Sequence, residues 1–237
     1  MKLYDHIISQ TLEQLEACQC RTSDYSERAC WTDNGESRLV MLRDAAYELG
    51  GSGTPSVNYT CVTTTPDLIT KDEVVLCGKD LCALRGDVSF ARITLLEVDD
   101  LGEDEQAYNA IRNMEFVRYH VFPDGYMVRV SSESNQEQVR VSKKALAAGI
   151  SFAAVGNAYI RKYRQLKGVR HVRVIFLVDQ PVIRDLVGNA KKVDAITKTL
   201  THILDGLPTD CSHCDLKPVC DEVEGMRELH MGQGKKK

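Results

Sequence analysis

Three cysteines near the end of the chain have the spacing of a metal site. Residues 210–222 read DCSHCDLKPVCDE and place Cys211, Cys214 and Cys220 in a C-x2-C-x5-C array. Two thiolates three positions apart can bind one ion or cluster because a turn brings both sulfur atoms to the same side, and a third thiolate closes the site. The array therefore predicts a thiolate-bound cofactor. An iron-sulfur cluster, in particular [4Fe-4S], is the first choice and zinc is the alternative.

The fourth ligand of this site is left open, since three protein ligands are one fewer than the usual four. It could be a nearby imidazole, an N-terminal thiolate, a residue of a partner protein or an exogenous ligand. The candidates within the chain are His213, His230, Cys18, Cys20 and Cys30. The three N-terminal cysteines also form a second candidate chelate, for which free thiols in an N-terminal arm are the alternative. Their spacing fits no single metal site strongly.

Composition and charge exclude several classes of protein. The chain has 237 residues, a length that fits one large domain or one domain with a small appendage, and its 43% hydrophobic and 27% charged residues are typical of a soluble globular protein. Its 30 basic and 34 acidic residues give a net charge of −4, which supplies no overall attraction to nucleic acid or to an anionic membrane. We therefore expect neither as a partner.

The expected cellular compartment determines how the cysteines are interpreted. No run approaches the ~18 apolar residues of a membrane span, and the first twenty residues lack the features of a signal peptide. A cytoplasmic location follows, where thiols stay reduced, so the nine cysteines are expected to be ligands, redox groups or buried side chains rather than disulfides. Cys61, Cys77 and Cys82 lie in or beside predicted strands and are interpreted as small buried hydrophobic residues.

Alternating strand and helix patterns predict an α/β fold with a mixed sheet and flanking helices. The predicted strands are 38–42, 56–64, 73–77, 90–98 and 171–179, with a hairpin formed by 125–130 and 137–142. The predicted helices are 4–17, one through residues 108–114, 143–149 capped by Ser142, 151–167, and a long helix that begins at Pro181. Residues 21–37 are interpreted as a loop. The chain is divided into an N-terminal helix and cysteine-containing loop (1–37), the α/β domain (38–206) and a cysteine-rich segment with a basic tail (207–237).

A basic run follows the second half of the α/β domain. Its residues are Arg161, Lys162, Arg164, Lys167, Arg170 and Arg173, and no acidic residue lies between positions 160 and 178. A solvated helix face is the favoured interpretation, and a surface for an anionic cofactor or an acidic protein is the alternative. No Ser-His-Asp order or metalloprotease motif is present, so the side chains support no independent catalysis.

Several segments, taken in order, resemble one family. They are ELGGSGTPSVNY, ITKDEVVLCGKDL, ARITLLEVDD, RNMEF, QVRVSKKALAAGISF, VRHVRVIFLVD and CSHC, and they span about residues 41–220. Their order and approximate spacing resemble the middle region of the β subunit of the carbon monoxide dehydrogenase/acetyl-CoA synthase complex, an assembly of anaerobic one-carbon metabolism.

This resemblance implies a fold, a partner and a cluster. The family's middle domain is a mixed α/β module that contributes to docking the corrinoid iron-sulfur methyl carrier and to handling coenzyme A. In the family, the first cysteine pair of a nickel-iron-sulfur cluster lies where Cys211 and Cys214 lie here, which implies a cluster-binding role for both. Cys220 resembles the next family cysteine more loosely, because the gap is shorter here.

Two departures from the family change the expected function. No Cys-Gly-Cys motif for the distal nickel follows the cysteine array, so an independent acetyl-CoA synthase is not expected. The family's tryptophan- and arginine-containing coenzyme A segment is replaced by the hairpin around residues 126–138, which leaves coenzyme A binding unsupported.

The leading hypothesis is a stand-alone homologue of the docking module. It would be an accessory protein for a corrinoid or one-carbon-metabolism partner, and it would carry a cysteine-bound iron-sulfur or metal site. The first alternative is an iron-sulfur subunit of an electron-transfer or methyl/acyl-transfer enzyme. The second is a structural protein stabilised by zinc.

Overall fold

Two β-sheets form the body of the protein. The computed structural model describes residues 2–51, 53–101, 105–131, 135–204 and 217–222. The larger sheet has five strands in the order β1-β4-β8-β5-β3, and the smaller sheet has three in the order β2-β7-β6. The fold is thus α/β, with a five-stranded mixed sheet, a three-stranded antiparallel sheet and flanking helices.

The strands have the following bounds: β1 Cys20–Asp24, β2 Ala45–Leu49, β3 Ser56–Thr63, β4 Glu73–Cys77, β5 Phe90–Val98, β6 Tyr126–Ser131, β7 Gln136–Ser142 and β8 Val169–Val178. In the larger sheet β3 is parallel to β5 and β4 is parallel to β8, whereas β5 and β8 are antiparallel. The edge strand β1 pairs antiparallel with β4. Every residue of β3 and β5 is buried, as expected for strands that are covered on both faces.

Six α-helices are described: α1 Asp5–Glu16, α2 Glu105–Phe116, α3 Lys143–Ala147, α4 Phe152–Tyr163, α5 Leu186–Leu204 and α6 Lys217–Glu222. Helices α1 and α5 contact each other and cover β3 from one face of the larger sheet. Helix α4 covers β4 and β8, and the smaller sheet contacts β3 and β5 through β7. None of the described helices is long and apolar enough to cross a membrane.

Local sequence explains where the helices begin and how closely they pack. Ser142 and Ser151 accept hydrogen bonds from the backbone amides of Ala145 and Ala154, and so cap α3 and α4. Gly156 lets α4 approach the sheet, because a Cβ atom there would lie 2.5 Å from a methyl group of Val74. The glycine is therefore a packing requirement inside a helix.

Most sequence predictions of secondary structure are confirmed. The structure contains the helix predicted at 4–17, the strands at 56–64, 73–77, 90–98 and 171–179, the hairpin, and the helices that follow Ser142, Ser151 and Pro181. The strand predicted at 38–42 is wrong, since the strand that pairs with β7 starts at Ala45. The loop predicted at 21–37 is wrong for its first residues, which belong to β1. The N-terminal 37 residues thus supply a helix and an edge strand to the main body.

A buried ion pair connects the two sheets. Arg92 lies on β5 and Glu137 on β7, and their side chains are 1% and 0% exposed. Arg92 Nη2 donates to Glu137 Oε2 at 2.6 Å, and Arg92 Nε donates to Oε1 at 2.9 Å. The Arg92 guanidinium also lies 4.1 Å from the ring centroid of Tyr159 on α4. The guanidinium of Arg92, which lies on the larger sheet, therefore contacts both the smaller sheet and helix α4.

Amide and guanidinium groups extend this pair into a network. Asn58 of β3 donates its side-chain amide to Glu137. Arg118, which is 4% exposed, donates to Asn58 Oδ1 at 3.2 Å and to Asn135 Oδ1 at 3.3 Å. Asn135 in turn donates to the carbonyl of Ala190 on α5 at 2.7 Å. The network thus runs from the smaller sheet through the larger one to the helix layer beyond it.

We predict that removing one partner of the buried pair is costly. Arg92→Met or Glu137→Gln should lower the free energy of unfolding by about 3–5 kcal/mol, because the remaining charge stays buried without its partner. The double variant Arg92→Met/Glu137→Leu should lose much less than the sum of the two single variants. Urea unfolding of the four proteins measures this coupling. Single variants that each lose less than about 1 kcal/mol, with additive effects, would contradict it.

Candidate functional site

Two described helices, α5 and α6, stand on either side of the C-x2-C pair in the sequence. Helix α5 ends at Leu204, and α6 begins at Lys217 and contains Cys220 in its sequence. Helix α6 contacts α5, and Val219 packs against the hydrophobic core. Cys211, His213, Cys214 and His230 lie outside the described residues. The C-x2-C pair therefore occurs in the sequence between two helices that contact each other.

A basic pocket lies where α6 meets the body. It has a volume of about 560 Å³, and its lining includes Val219 together with exposed basic side chains from α5 and the start of the chain. These are Lys2, His6, Lys191 and Lys192. Asp5 in the same lining accepts hydrogen bonds from the hydroxyls of Thr63 and Thr65 at 2.7 and 2.5 Å. This end of the body therefore presents positive charge and one imidazole beside the helix that carries Cys220.

The sequence gives no signal for this basic pocket. Its contributing residues are separated by more than 180 positions along the chain, so no local motif unites them. They meet because α1 and α5 run antiparallel, as shown by the hydrogen bond from Asn189 to Gln14 at 3.0 Å and the contact of Lys192 with Gln10.

The three N-terminal cysteines do not converge on one point. Cys18 follows α1, while Cys20 on β1 forms a disulfide with Cys77 on β4. Cys30 follows a short 3-10 helix that contacts α4, on the other face of the larger sheet. Within the described ranges, no group of three or more His, Cys, Asp or Glu residues could hold a metal ion. Cys20 could become a ligand only after reduction of its disulfide.

The disulfide corrects one expectation from the sequence. The sequence predicts ligands, redox groups or buried side chains rather than disulfides, and this is wrong for Cys20 and Cys77, which face each other in the β1–β4 register and form a disulfide. The prediction of burial is confirmed for Cys61 and Cys77, whereas it is wrong for Cys82, which is exposed. Sequence spacing could not reveal the pairing because the two bonded cysteines are 57 positions apart.

A second pocket lies beside this disulfide, on the side of Cys20. It has a volume of about 780 Å³ and opens beside the ends of β4 and β8, next to the C-terminal turn of α1. Cys18 and Cys20 both line it, with Gly78 and Gln180 from the two strand ends. Gly78 has a φ of +118°, and a Cβ atom there would lie 2.3 Å from the carbonyl oxygen of Val178. The backbone at this strand end therefore requires glycine.

Burial controls the acidity of the free thiols. Desolvation raises the pKa of Cys18. It also raises the pKa of Cys30, which the cation of Arg161 opposes. For the fully buried Cys61, desolvation followed by the negative charge of Glu115 raises the pKa far above its usual range. These thiols are therefore mostly protonated at neutral pH, and Cys61 is also shielded from reagents in solution.

Three of the six residues of the basic run form ion pairs within the chain. Arg164 forms an ion pair with Asp72, and Arg170 forms one with Asp99. Arg173 Nε lies 2.6 Å from Glu73 Oε1, and that carboxylate is buried. The acidic partners come from other elements of the chain, which the local sequence could not indicate. This run therefore offers less free positive charge than its sequence suggests.

An exposed apolar segment lies beside the smaller sheet. Leu39, Met41 and Leu42 are 67%, 46% and 74% exposed. Val40 between them is buried, and its carbonyl oxygen accepts a hydrogen bond from Arg140 of β7 at 2.9 Å. We call residues 38–43 the apolar segment. Its composition predicts a strand, yet most of its apolar side chains face solvent.

Comparison with known proteins identifies no relative. No protein-family model matches the chain, and no curated protein matches it. The geometry of the described residues and the sequence resemblance are therefore the basis for a functional proposal.

Proposed function

We propose that this chain is an accessory docking protein for a corrinoid or one-carbon-metabolism protein, and that it carries an iron-sulfur cluster on Cys211, Cys214 and Cys220. The observation that carries the proposal is the position of α6. This helix contains Cys220 in its sequence and packs beside the pocket that holds Lys2, Lys191 and Lys192. The segment with the other two cysteines leads directly into it.

Electrostatics support a cluster at this end of the body. A cluster held by thiolates carries net negative charge, and nearby cations stabilise that charge and raise the reduction potential. Three lysines line the neighbouring pocket, and His6 beside them offers an imidazole as a fourth ligand. The geometry disfavours Cys18 in that role because it lies at the opposite end of α1, a helix of 12 residues and thus about 18 Å long.

We predict that anaerobically purified protein is brown and contains iron and acid-labile sulfide. Cys211→Ala/Cys214→Ala should lose most of the iron, the sulfide and the visible absorption, because only one thiolate of the array remains. Cys82→Ala is the matched control, since Cys82 is an exposed thiol outside the array. It should retain the full iron content.

Two outcomes of the iron and sulfide measurement would contradict the cluster. Native protein without metal would remove the role assigned to the three cysteines. Zinc without sulfide would support the alternative of a structural zinc site, in which case chelation should lower the melting temperature.

The apolar segment supports docking. Exposed Leu39, Met41 and Leu42 form a short run of apolar surface, and bound protein partners cover such surfaces. Arg38 and Arg43 flank the run, and Lys143 donates to the carbonyl of Arg43 at 3.0 Å, while Arg43 itself forms an exposed ion pair with Asp44 at 3.7 Å. We therefore infer that the partner presents an apolar face with acidic residues around it.

We predict that Leu39→Ser/Leu42→Ser weakens binding to a corrinoid iron-sulfur protein at least tenfold. Burying one leucine contributes about 1.5–3 kcal/mol, and tenfold corresponds to about 1.4 kcal/mol. Because both side chains face solvent, the free energy of unfolding should change by less than about 0.5 kcal/mol each. Titration of the purified partner, followed by fluorescence or calorimetry, measures the dissociation constant.

Val187→Ser provides the control for this surface. Val187 is 37% exposed on α5, which packs against the other face of the larger sheet. Its substitution should leave binding unchanged. Equal loss of affinity in both variants, or no binding by the native protein, would contradict the docking surface.

A further inference from the structure

We infer that the pocket beside the Cys20–Cys77 disulfide, which Cys20 lines, is a thiol-disulfide exchange site for a small peptide thiol, with Cys18 as the resolving thiol. The inference is independent of the iron-sulfur proposal, since it uses none of the C-terminal cysteines. It rests on the burial of the two bonded sulfur atoms, the position of the third cysteine, and the charges in the pocket.

Unequal burial directs attack to one sulfur atom. Cys77 is fully buried, whereas Cys20 is partly exposed and lines the pocket. An incoming thiolate therefore reaches Cys20 and displaces Cys77. Strand β1 is at the edge of the sheet, so no further strand of the described chain covers Cys20.

Cys18 is placed to complete the exchange. It is a free thiol that lines the same pocket, two residues before Cys20. Two residues span at most about 7 Å even in an extended chain, and a disulfide requires Cα atoms about 4.4–6.8 Å apart. A bond between Cys18 and Cys20 therefore needs only a local adjustment.

The pocket is suited to a zwitterionic peptide thiol. Its volume of about 780 Å³ falls within the range of about 300–1,000 Å³ that small ligands occupy. Arg21 offers a guanidinium to a carboxylate, and Asp185 offers a carboxylate to an ammonium group. The side chains of Gln14, Gln19 and Gln180 add amide donors and acceptors.

The reaction has two steps that balance without an oxidant. The thiolate of the peptide attacks Cys20 Sγ, a mixed disulfide forms, and Cys77 leaves as a thiolate that takes up a proton. The thiol of Cys18 loses its proton to solvent, and the thiolate that forms attacks Cys20 Sγ while the peptide leaves as a thiolate and takes up a proton. The disulfide has moved from Cys20–Cys77 to Cys18–Cys20, and the peptide thiol is regenerated.

Glutathione, used as the probe, tests this sequence of steps. The full-length protein is treated with one equivalent, quenched with an alkylating agent and mapped by mass spectrometry of its peptides. The expected product is a Cys18–Cys20 disulfide with an alkylated Cys77. Cys18→Ala should instead accumulate glutathione on Cys20, because the resolving thiol is missing, while Cys82→Ala should behave as the native protein does.

Three results would overturn the inference. One is isolated protein in which Cys20 and Cys77 are both alkylated before any glutathione is added. Another is a disulfide that reacts only after denaturation. The third is glutathione attached to Cys77 rather than Cys20 in the Cys18→Ala variant.

Recognition of the peptide is tested separately from the exchange. Arg21→Gln should slow the reaction with glutathione at least threefold while leaving the reaction with 2-mercaptoethanol, which lacks charged groups, unchanged. An equal change with both thiols would show that Arg21 acts on the disulfide and not on the ligand, and would overturn the assignment of the pocket.

Discussion

The ion pair between Arg92 and Glu137 is the contact on which the arrangement of the two sheets depends. Both side chains are almost completely excluded from water, so each charge is tolerated only because the other neutralises it. Hydrophobic burial would hold the sheets together in many relative positions. A directional pair with hydrogen bonds to Asn58, and with Tyr159 beside the cation, permits few of them.

This constraint extends to the surface proposed for docking. The position of β7 is fixed by Glu137, and β7 in turn holds the apolar segment through the hydrogen bond from Arg140 to the carbonyl of Val40. Leu39 and Leu42 can therefore remain exposed without a strand of their own, since their backbone is held by a neighbouring strand. On the other face of the larger sheet, α1 and α5 separate the pocket at Cys18 from the pocket beside α6.

The sequence predicts the covered strands and the capped helices well for physical reasons. The residues that specify strand β8 are a consecutive apolar run. The residues that specify α4 are likewise consecutive, namely the capping Ser151 and the helical pattern that follows it. The apolar segment misleads the prediction because apolar composition alone does not distinguish a buried strand from an exposed partner surface. Arg92 within an apolar strand is the one available signal for the buried network, but its partner lies 45 positions away.

The candidate site is predictable from the sequence to a smaller extent than the fold. The C-x2-C-x5-C spacing is local and can be read directly, whereas the Cys20–Cys77 bond and the lysines beside α6 arise from strand pairing and helix packing.

The central claim is that the two cysteine-containing ends act as separate sites. Iron and sulfide analysis of a Cys18→Ser/Cys30→Ser variant, purified anaerobically beside the native protein, tests it most directly. We predict the same iron and sulfide per chain in both proteins, because the cluster proposed on Cys211, Cys214 and Cys220 needs neither N-terminal thiol. Loss of half or more of the iron in the variant would contradict this account, since an N-terminal cysteine would then be a ligand of the C-terminal cluster.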